Sequence, residues 1–452
     1  MNSEEEIKII WKNKIKPEIK KVDFKLIETS YIENSTNSPD NLLFYGDNKE
    51  VLFFLLENFR EKIDLIYIDP PFATGEAFKH KIKVSDGSWT LVDNFFEKKA
   101  YDDTWGKNLS IYLQMLYERL CLMKDLLSKR GSIFVHVDWR VSGYVKLILE
   151  EIFGKYNFLN EIIWNYVTPG YPKDRFAKKH DTIFWYAKNA GEHIFNLDDV
   201  RTPYDEERKK KATLDDDGNL VYVHGPGFGV TKLHPKGRIT DDVWKIALVN
   251  SMAKERTTYP TQKPLELIER ITKAASNPNS LIADFFLGSG TTCIAAEKLK
   301  RRWIGVDNSF FALNTAKKRL LKKKTPFHIF SKSTFKESQI PLKNIEWNFD
   351  VHLDGELLKI TFKDYQNEKL INILKEKMTE IKIPDDLIDF WAVDFDFRNV
   401  FNINWCSFKT RNNNFINLEC SHRYKELGKK IIKIQFIDIF NNYFESEMEI
   451  FI

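Results

Sequence analysis

Asp64-Leu65-Ile66-Tyr67-Ile68-Asp69-Pro70-Pro71-Phe72 packs four apolar or aromatic residues into an unbroken run and then stops on an acid and two prolines. Such a run reads as a strand buried on both faces, as in a parallel sheet, with its carboxyl end at a polar site. Open α/β sheets bind ligands at that end. Proline offers no ladder N–H and fixes its own φ, so Pro70 and Pro71 end the strand and hold the Asp69 carboxylate and nearby carbonyls in a rigid turn. Phe72 sets a flat face beside these acceptors. The set suits a planar base bearing an amino group, with oxygens to accept its N–H bonds and a ring to stack on it.

Upstream, Asn41-Leu42-Leu43-Phe44-Tyr45-Gly46-Asp47 reads as another short buried strand, followed by a helix over residues 49–59. Strand, helix, strand is a parallel crossover, so Asp47 and Asp69 are expected on one sheet edge. Taken alone, Asp47 reads equally well as a turn residue. Downstream, residues 73–106 interleave Lys79, His80, Lys81 and Lys83 with Phe78, Trp89, Phe95, Phe96, Tyr101 and Trp105. That pattern fits a strand-contacting flap over the site, and equally a solvated insertion with its own small core. The apolar spacing of Leu113, Leu116, Leu120, Met123 and Leu127 predicts a helix over 109–129 with Gly131 as its C-cap. Residues 132–138 form the next buried strand, where His136 reads more readily as a satisfied sheet-end histidine than as a site residue. Another helix ends near Gly154, and residues 162–164 and 182–186 are further strands.

From residue 165 to about 250 the character changes. Gly- and Pro-rich loops (168–172 and 224–229) alternate with scattered bases, among them Lys173, Arg175, Lys178 and Lys179. Loops of this kind make poor core and good recognition surface.

Tyr259-Pro260-Thr261-Gln262-Lys263-Pro264 then opens a helix through about residue 275, with Pro264 near its first turn. Leu281-Ile282-Ala283-Asp284-Phe285-Phe286-Leu287-Gly288-Ser289-Gly290-Thr291-Thr292 follows as buried strand, tight turn and helix. Its glycines let the backbone approach a ligand, and the helix start offers unpaired N–H groups. Asp307 ends the next strand 19 positions after Gly288, near the spacing of about 20 at which an acid holds ribose hydroxyls. A dinucleotide-binding dehydrogenase begins with the same Gly-x-Gly. Its third glycine is missing here, because position 293 is Cys.

Asp69-Pro70-Pro71-Phe72 resembles the catalytic motif of the amino-group DNA methyltransferases, which methylate the exocyclic nitrogen of adenine or cytosine using S-adenosylmethionine. Asp284 through Thr292 is similar to that family's cofactor motif, Asp-x-Phe-x-Gly-Ser-Gly-Thr-Thr, with Phe285 where Pro is usual. The order, catalytic motif first, recognition-like segment second and cofactor turn last, resembles the circularly permuted beta class. The resemblance spans roughly residues 40–322. It implies an α/β fold with a Rossmann-like doubly wound methyltransferase sheet and an inserted target-recognition region; the shift in pattern beyond residue 324 adds the expectation of a C-terminal β-rich α+β domain. It also implies roles: Asp69, Pro70, Pro71 and Phe72 for catalysis and base capture; Asp47 on the cofactor's adenine; Phe286 with Gly288, Ser289, Gly290, Thr291 and Thr292 lining the cofactor beside Asp284; Asp307 on the ribose; and Lys263 and Pro264 in the helix over the methionine end. Lys173, Arg175, Lys178 and Lys179 are the expected contacts to double-stranded DNA. Asp in the first catalytic position favours adenine over cytosine by family pattern. The rival expectations are a cytosine amino-methyltransferase, an RNA methyltransferase and a non-catalytic DNA-binding module.

The expected organisation is a surface extension (1–40), the catalytic half (41–164), the recognition region (165–250), the cofactor half (251–324) and an accessory domain (325–452). That last part carries a hairpin pattern around Asp354-Gly355, a helix over about 367–380 and a strand-like run over 431–440. At 452 residues and 43% hydrophobic, the chain can bury a large core. Its net charge is only +4 although 30% of residues are charged, so a nucleic-acid surface has to be local. Cys121, Cys293, Cys406 and Cys420 are scattered, which argues against a zinc site and a disulfide framework and for a reducing cytoplasm. No metal is expected. The charged N-terminus lacks a signal-peptide core, and no run is long enough to span a bilayer. Helicase and nuclease motifs are absent, so restriction would need a separate subunit; a homodimer is left open.

Overall fold

The computed structural model describes residues 8–30, 40–72, 77–83, 95–102, 108–225, 229–332, 345–375 and 382–452. The first half runs β1 (Lys25–Ser30), β2 (Leu42–Tyr45), α1 (Asn48–Asn58), β3 (Ile63–Ile68), β4 (Ala77–Lys83), β5 (Phe95–Asp102), α2 (Leu109–Leu126), β6 (Leu127–Val137), α3 (Ser142–Phe153), β7 (Phe158–Asn165) and β8 (His180–Ala187). The middle holds α4 (Glu206–Lys210), β9 (Ala212–Leu214), β10 (Leu220–Val223), β11 (Val230–Lys232) and β12 (Val243–Lys245). Then come α5 (Leu265–Ala275), β13 (Leu281–Asp284), α6 (Thr291–Lys298), β14 (Arg302–Asp307), α7 (Phe310–Lys322) and β15 (Phe327–Ser331). The C-terminal part is β16 (Ile345–Asp354), β17 (Leu357–Asn367), α8 (Glu368–Lys375), β18 (Ile388–Asp394), β19 (Phe401–Ile403), β20 (Trp405–Phe408), β21 (Glu419–Arg423), β22 (Lys429–Asp438) and β23 (Tyr443–Phe451).

Eleven strands form one sheet in the order β12-β7-β8-β6-β3-β13-β14-β2-β15-β1-β19. From β6 to β15 all neighbours are parallel. β8 reverses beside β6, and β1 reverses beside β15. β3 leads through α2 to β6 on one side, while β13 leads through α6 to β14 on the other, so the winding reverses between β3 and β13. That is the switch point at which a doubly wound sheet opens a crevice. The opposite directions of travel put the helices on opposite faces. Val51, Leu55, Leu116, Leu120 and Ile148 from α1, α2 and α3 belong to one apolar cluster, and Leu267, Ile271, Ile294, Leu313 and Leu320 from α5, α6 and α7 to the other.

Several expectations are corrected. Residues 25–30, assigned to a surface extension, form β1, with Glu28, Thr29 and Ser30 buried. α2 stops at Leu126, where Leu127 turns extended and starts β6 directly. Gly131 therefore caps no helix. It lies within β6, where a Cβ would come 2.7 Å from the Ile63 carbonyl, so the residue is there for close approach of neighbouring strands. β15 carries the main sheet beyond residue 324, and β19 adds a further strand beside β1.

The C-terminal region builds two sheets, β16-β17-β21 and β20-β18-β22-β23, around a core that includes Ile360, Phe362, Trp391, Ile434 and Phe436. The expected hairpin closes at Gly355, whose φ is +56°. This region does not stand apart, because Phe390, Phe401, Ile403 and Ile437 join the α5–α7 cluster of the main sheet. Burying such side chains contributes roughly 1.5–3 kcal/mol each. Four of them approach the whole net stability of a domain, about 5–15 kcal/mol. Of the expected flap over 73–106, β4 and β5 are described as an antiparallel pair, and its side chains lie outside the described residues. The loop residues 226–228 and the end of the helix expected to reach 380 (residues 376–381) lie outside them too. Among the described residues, no helix is long and apolar enough to cross a membrane.

Candidate active site

The parallel strands deliver five acids to one sheet edge. In spatial order Asp138 follows β6, Asp69 follows β3, Asp284 ends β13, Asp307 ends β14 and Asp47 follows β2. Three have cationic partners: Asp138 pairs with Arg140, Asp69 with Lys263 and Asp47 with Arg119. Asp284 and Asp307, side by side at the centre, make no ion pair among the described residues. Burial pushes the Asp284 carboxyl up to about 7 and that of Asp307 up to about 6, against the hydrogen bonds each accepts. A cationic ligand in the crevice would relieve both.

At the β3 end, Pro70 is buried and Pro71 and Phe72 are half-buried, so the turn is packed down with the ring near the mouth. The Lys263 ammonium holds Asp69 Oδ2. Asp69 Oδ1 is buried and has no hydrogen-bond partner among the described residues. A buried acceptor without a donor costs roughly 1–3 kcal/mol, so native proteins seldom keep one without a use. Phe72 packs on His136 with ring centroids 5.8 Å apart. His136 is satisfied on both nitrogens, Nδ1 with Tyr67 Oη at 2.9 Å and Nε2 with Asp181 Oδ2 at 3.1 Å. Tyr166 donates to Asp181 Oδ1 at 2.9 Å. Burial raises the Asp181 carboxyl, but His136, Lys263 and Tyr166 together hold it below its ordinary range. This chain, with Trp164 edge-on to His136 at 5.4 Å, forms a fixed floor beneath Phe72.

The β13 turn is tied down from within. Asp284 accepts from Phe286 N at 3.0 Å and from the Thr292 hydroxyl at 2.5 Å. Asp307 accepts from Gly288 N and Ser309 N, both at 2.8 Å. Arg319 donates to the Ser289 carbonyl at 2.7 Å and to the Thr291 hydroxyl at 3.1 Å. Its burial lowers the guanidinium to about 10. Gly290 caps α6 with φ +78°, and a Cβ there would stand 2.8 Å from that of Ala316. Gly288, φ +54°, faces the Tyr259 ring at 3.1 Å in the same sense. Ser289, Thr291 and Thr292, expected to line the cofactor, thus spend their hydroxyls on the scaffold. The turn offers a ligand its backbone, the half-buried Phe286 and the N-terminus of α6.

Asp47 is both the N-cap of α1, accepting from Lys49 N at 2.7 Å, and the partner of Arg119 at 3.1 and 3.2 Å. Arg119 also donates to Asn48, whose amide reaches the Phe285 carbonyl at 2.8 Å and so joins the β2 and β13 ends. Pro264 is the N-cap of α5 and sets Lys263 facing β3.

The recognition bases divide. In the loop between β7 and β8, Lys173 and Arg175 are exposed, and among the described residues Arg175 has only Asp174, 3.8 Å away, as a salt partner. The Lys178 ammonium sits 3.0 Å over the centre of Trp139, and Lys179 lies 3.7 Å over Tyr171 while donating to the Thr168 carbonyl at 2.6 Å. Tyr171 and Phe176 are 78% and 98% exposed, so this loop shows water aromatic faces as well as charge. It leaves β7 at the edge where Asp69 emerges, since β7 and β6 both run antiparallel to β8.

Sequence reasoning missed Arg119, Asn48, Arg319 and Asp181. Arg119 had a signal. Tyr112, Leu116, Arg119 and Met123 share one helical stripe, and a lone arginine in an apolar stripe needs a buried partner. Asn48 and Asp181 had none.

Residues 63–318 match the family model described as DNA methylase, of the N6/N4 type. Type II methyltransferase M.EcaI of Enterobacter cloacae is 27% identical over 418 residues, covering 80% of this chain and 87% of the relative. Type II methyltransferase M.HpaI of Haemophilus parainfluenzae is 30% identical over 267 residues, covering 59% and 70%. Among solved structures, the M1.HpyAVI–SAM complex aligns with 22% identity and a TM-score of 0.39, covering 62% of this chain and 98% of that one. The match of the family model to more than half of the chain, taking in β3, β6, β13 and β14 of the strands that converge on the crevice, shows that this protein belongs to the N6/N4 DNA methylase family.

Proposed function

We propose that this chain transfers a methyl group from S-adenosylmethionine to the exocyclic amino nitrogen of an adenine turned out of duplex DNA, as a beta-class modification enzyme. One observation carries the reading: Asp69 Oδ1 is a buried, partnerless carboxylate oxygen beside an aromatic ring at the sheet's switch point. An amino group of a flipped base supplies the missing donor, and Phe72 supplies the stacking face.

The adenine amino nitrogen is a poor nucleophile because its lone pair is delocalised into the ring. Asp69 Oδ1 and the Pro70 carbonyl accept its two hydrogens, draw the nitrogen towards tetrahedral geometry and free the lone pair. The chain's contribution is positioning and a preorganised acceptor. The His136 floor keeps Phe72 from yielding as the base stacks. S-adenosylmethionine supplies the electrophilic methyl on a sulfonium. The crevice suits it: two unpaired central carboxylates favour a cation, the backbone of residues 288–290 allows close approach, and Asp307 and Asp47 stand at the strand ends for its ribose and adenine.

Asp rather than Ser at position 69 supports adenine over cytosine, and the basic, aromatic loop over 166–179 supports a nucleic-acid strand next to the pocket. The relatives' standing as Type II methyltransferases supports a modification role, and the proposal puts any nuclease on a separate chain and this enzyme in a cytoplasm, where its scattered cysteines stay reduced. The test uses methyl-labelled cofactor with duplex DNA, followed by nucleoside analysis. Label on N6 of adenine is expected. Label on N4 of cytosine would move the specificity, and label confined to RNA would overturn the DNA substrate.

A further inference from the structure

Lys263 enters the family resemblance only through the helix over the cofactor, yet its ammonium lies on both features a target base would use. It holds Asp69 Oδ2 and sits 5.0 Å from the centroid of Phe72. Both ends of the pair are largely shielded, the lysine side chain 12% exposed and the aspartate 18%. Its backbone is anchored as well. The Lys263 carbonyl accepts from the Thr291 hydroxyl at 3.4 Å, and Gln262 closes the preceding loop by accepting from Thr257 N and Oγ1 and donating to the Glu255 carbonyl. With Pro264 fixing the next residue, only the lysine's side-chain torsions are free to move the charge.

A base stacked on Phe72 brings its ring within about 4.5–7 Å of that centroid, the space in which the ammonium now lies. We propose that Lys263 is a place-holder for the target base: its ammonium, held on Asp69 Oδ2, occupies the face of Phe72 that the base needs beside the free Oδ1, and capture of the base expels it. This rests on the base-methylation reading above. The exchange has a direction, because expelling the ammonium breaks its charge-assisted contact to Oδ2, and an amino group on Oδ1 does not restore it. The amino bond to Oδ1 does not offset that loss alone, and the remainder has to come from stacking and from DNA contacts outside the pocket. A duplex of the wrong sequence lacks those contacts and leaves the lysine in place. Lys263 thereby exchanges ease of capture for discrimination, a repulsive element of the kind that specificity uses.

The experiment uses the full chain with S-adenosylhomocysteine and a duplex carrying 2-aminopurine at the target position, once methylated sites have been mapped. Emission reports the base leaving the stack. Lys263→Met keeps the stem and removes the charge; it is expected to raise emission and to narrow the affinity ratio between target and non-target duplexes by on the order of tenfold, the size of one competing charge-assisted contact. Lys263→Arg keeps the charge and should retain the wild-type ratio. Should the Met variant melt early, Lys263→Gln gives the same readout. Lower emission in the neutral variants would make Lys263 a permanent partner of Asp69 and overturn the place-holder; an unchanged ratio would do the same. Failure of wild-type protein to label any DNA would instead sink the base-methylation reading, at the mapping step and before any emission is measured.

Discussion

On the β13 side of the crevice the polar side chains of the glycine turn are answered from within the protein, while on the β3 side a carboxylate oxygen is left without a donor among the described residues. One wall is a finished frame. The other is complete only with a substrate. The contrast follows from what each has to do: a site that holds a ligand through backbone gains from rigidity, whereas a group that acts on a reacting nitrogen must keep its lone pairs for that moment. Substitutions on the two walls should therefore fail differently.

The largest effect is expected from Asp69→Ala. Cofactor affinity measured by calorimetry should stay near wild type, while methyl transfer falls by orders of magnitude, as for an interaction expressed in the transition state. Full activity would erase the contrast between the walls.

Gly290→Ala probes the finished wall. Its Cβ would stand 2.8 Å from Ala316 Cβ, at a φ of +78°. Overpacking and backbone strain together cost about 1–3 kcal/mol or more, so a lower melting temperature is expected with cofactor affinity falling alongside it. Normal stability with weak cofactor binding would mean that the turn is less of a frame than it looks.

How far the sequence reached depends on whether an interaction is local. β3, β13 and the turns after them announce themselves through apolar runs cut by Pro or Gly, and the structure brings Asp69, Asp284 and Asp307 to one edge as that pattern requires. The Lys263–Asp69 pair spans 194 positions, and no periodicity encodes it. Gly131 looked like a helix cap because a glycine after an amphipathic run usually is one. Only the position of the Ile63 carbonyl shows that it is needed for strand contact. Residues 25–30 were missed because β1, with its antiparallel partner β15 some 300 positions away, has only Leu26 and Ile27 as apolar residues among charged and polar ones and looks like surface.

Asp284 gives a subtler comparison. Its folded carboxyl is raised to about 7, above the roughly 3.9 of an unfolded chain, so its contribution to stability is full below about pH 4 and is lost as pH rises through 7. Asp284→Asn removes that dependence. In denaturant titrations the variant should gain on wild type between pH 5 and pH 8, and a constant gap would mean an ordinary carboxylate. Affinity for a cationic cofactor should run the opposite way in wild type, improving as Asp284 and Asp307 ionise.

The smallest expected effect lies outside both walls, in the loop between β7 and β8. Each phosphate contact contributes about 0.9 to the slope of log affinity against log salt on duplex DNA. Lys173 and Arg175 are exposed and loosely held, so replacing both with Ala should flatten that slope by about 2 if each meets a phosphate. Lys178 and Lys179 rest on Trp139 and Tyr171, and a cation over a ring is held by about 0.5–1 kcal/mol at exposed sites. That hold is too weak to exclude them from DNA but enough to bias them towards bracing the aromatics. Their replacement should change the slope by less than about 1 and lower affinity at every salt concentration, because Trp139 and Tyr171 lose their supports. A slope change as large as that of the first pair would show that both ammonium groups leave their rings for phosphates, and the loop would then be a uniform basic surface.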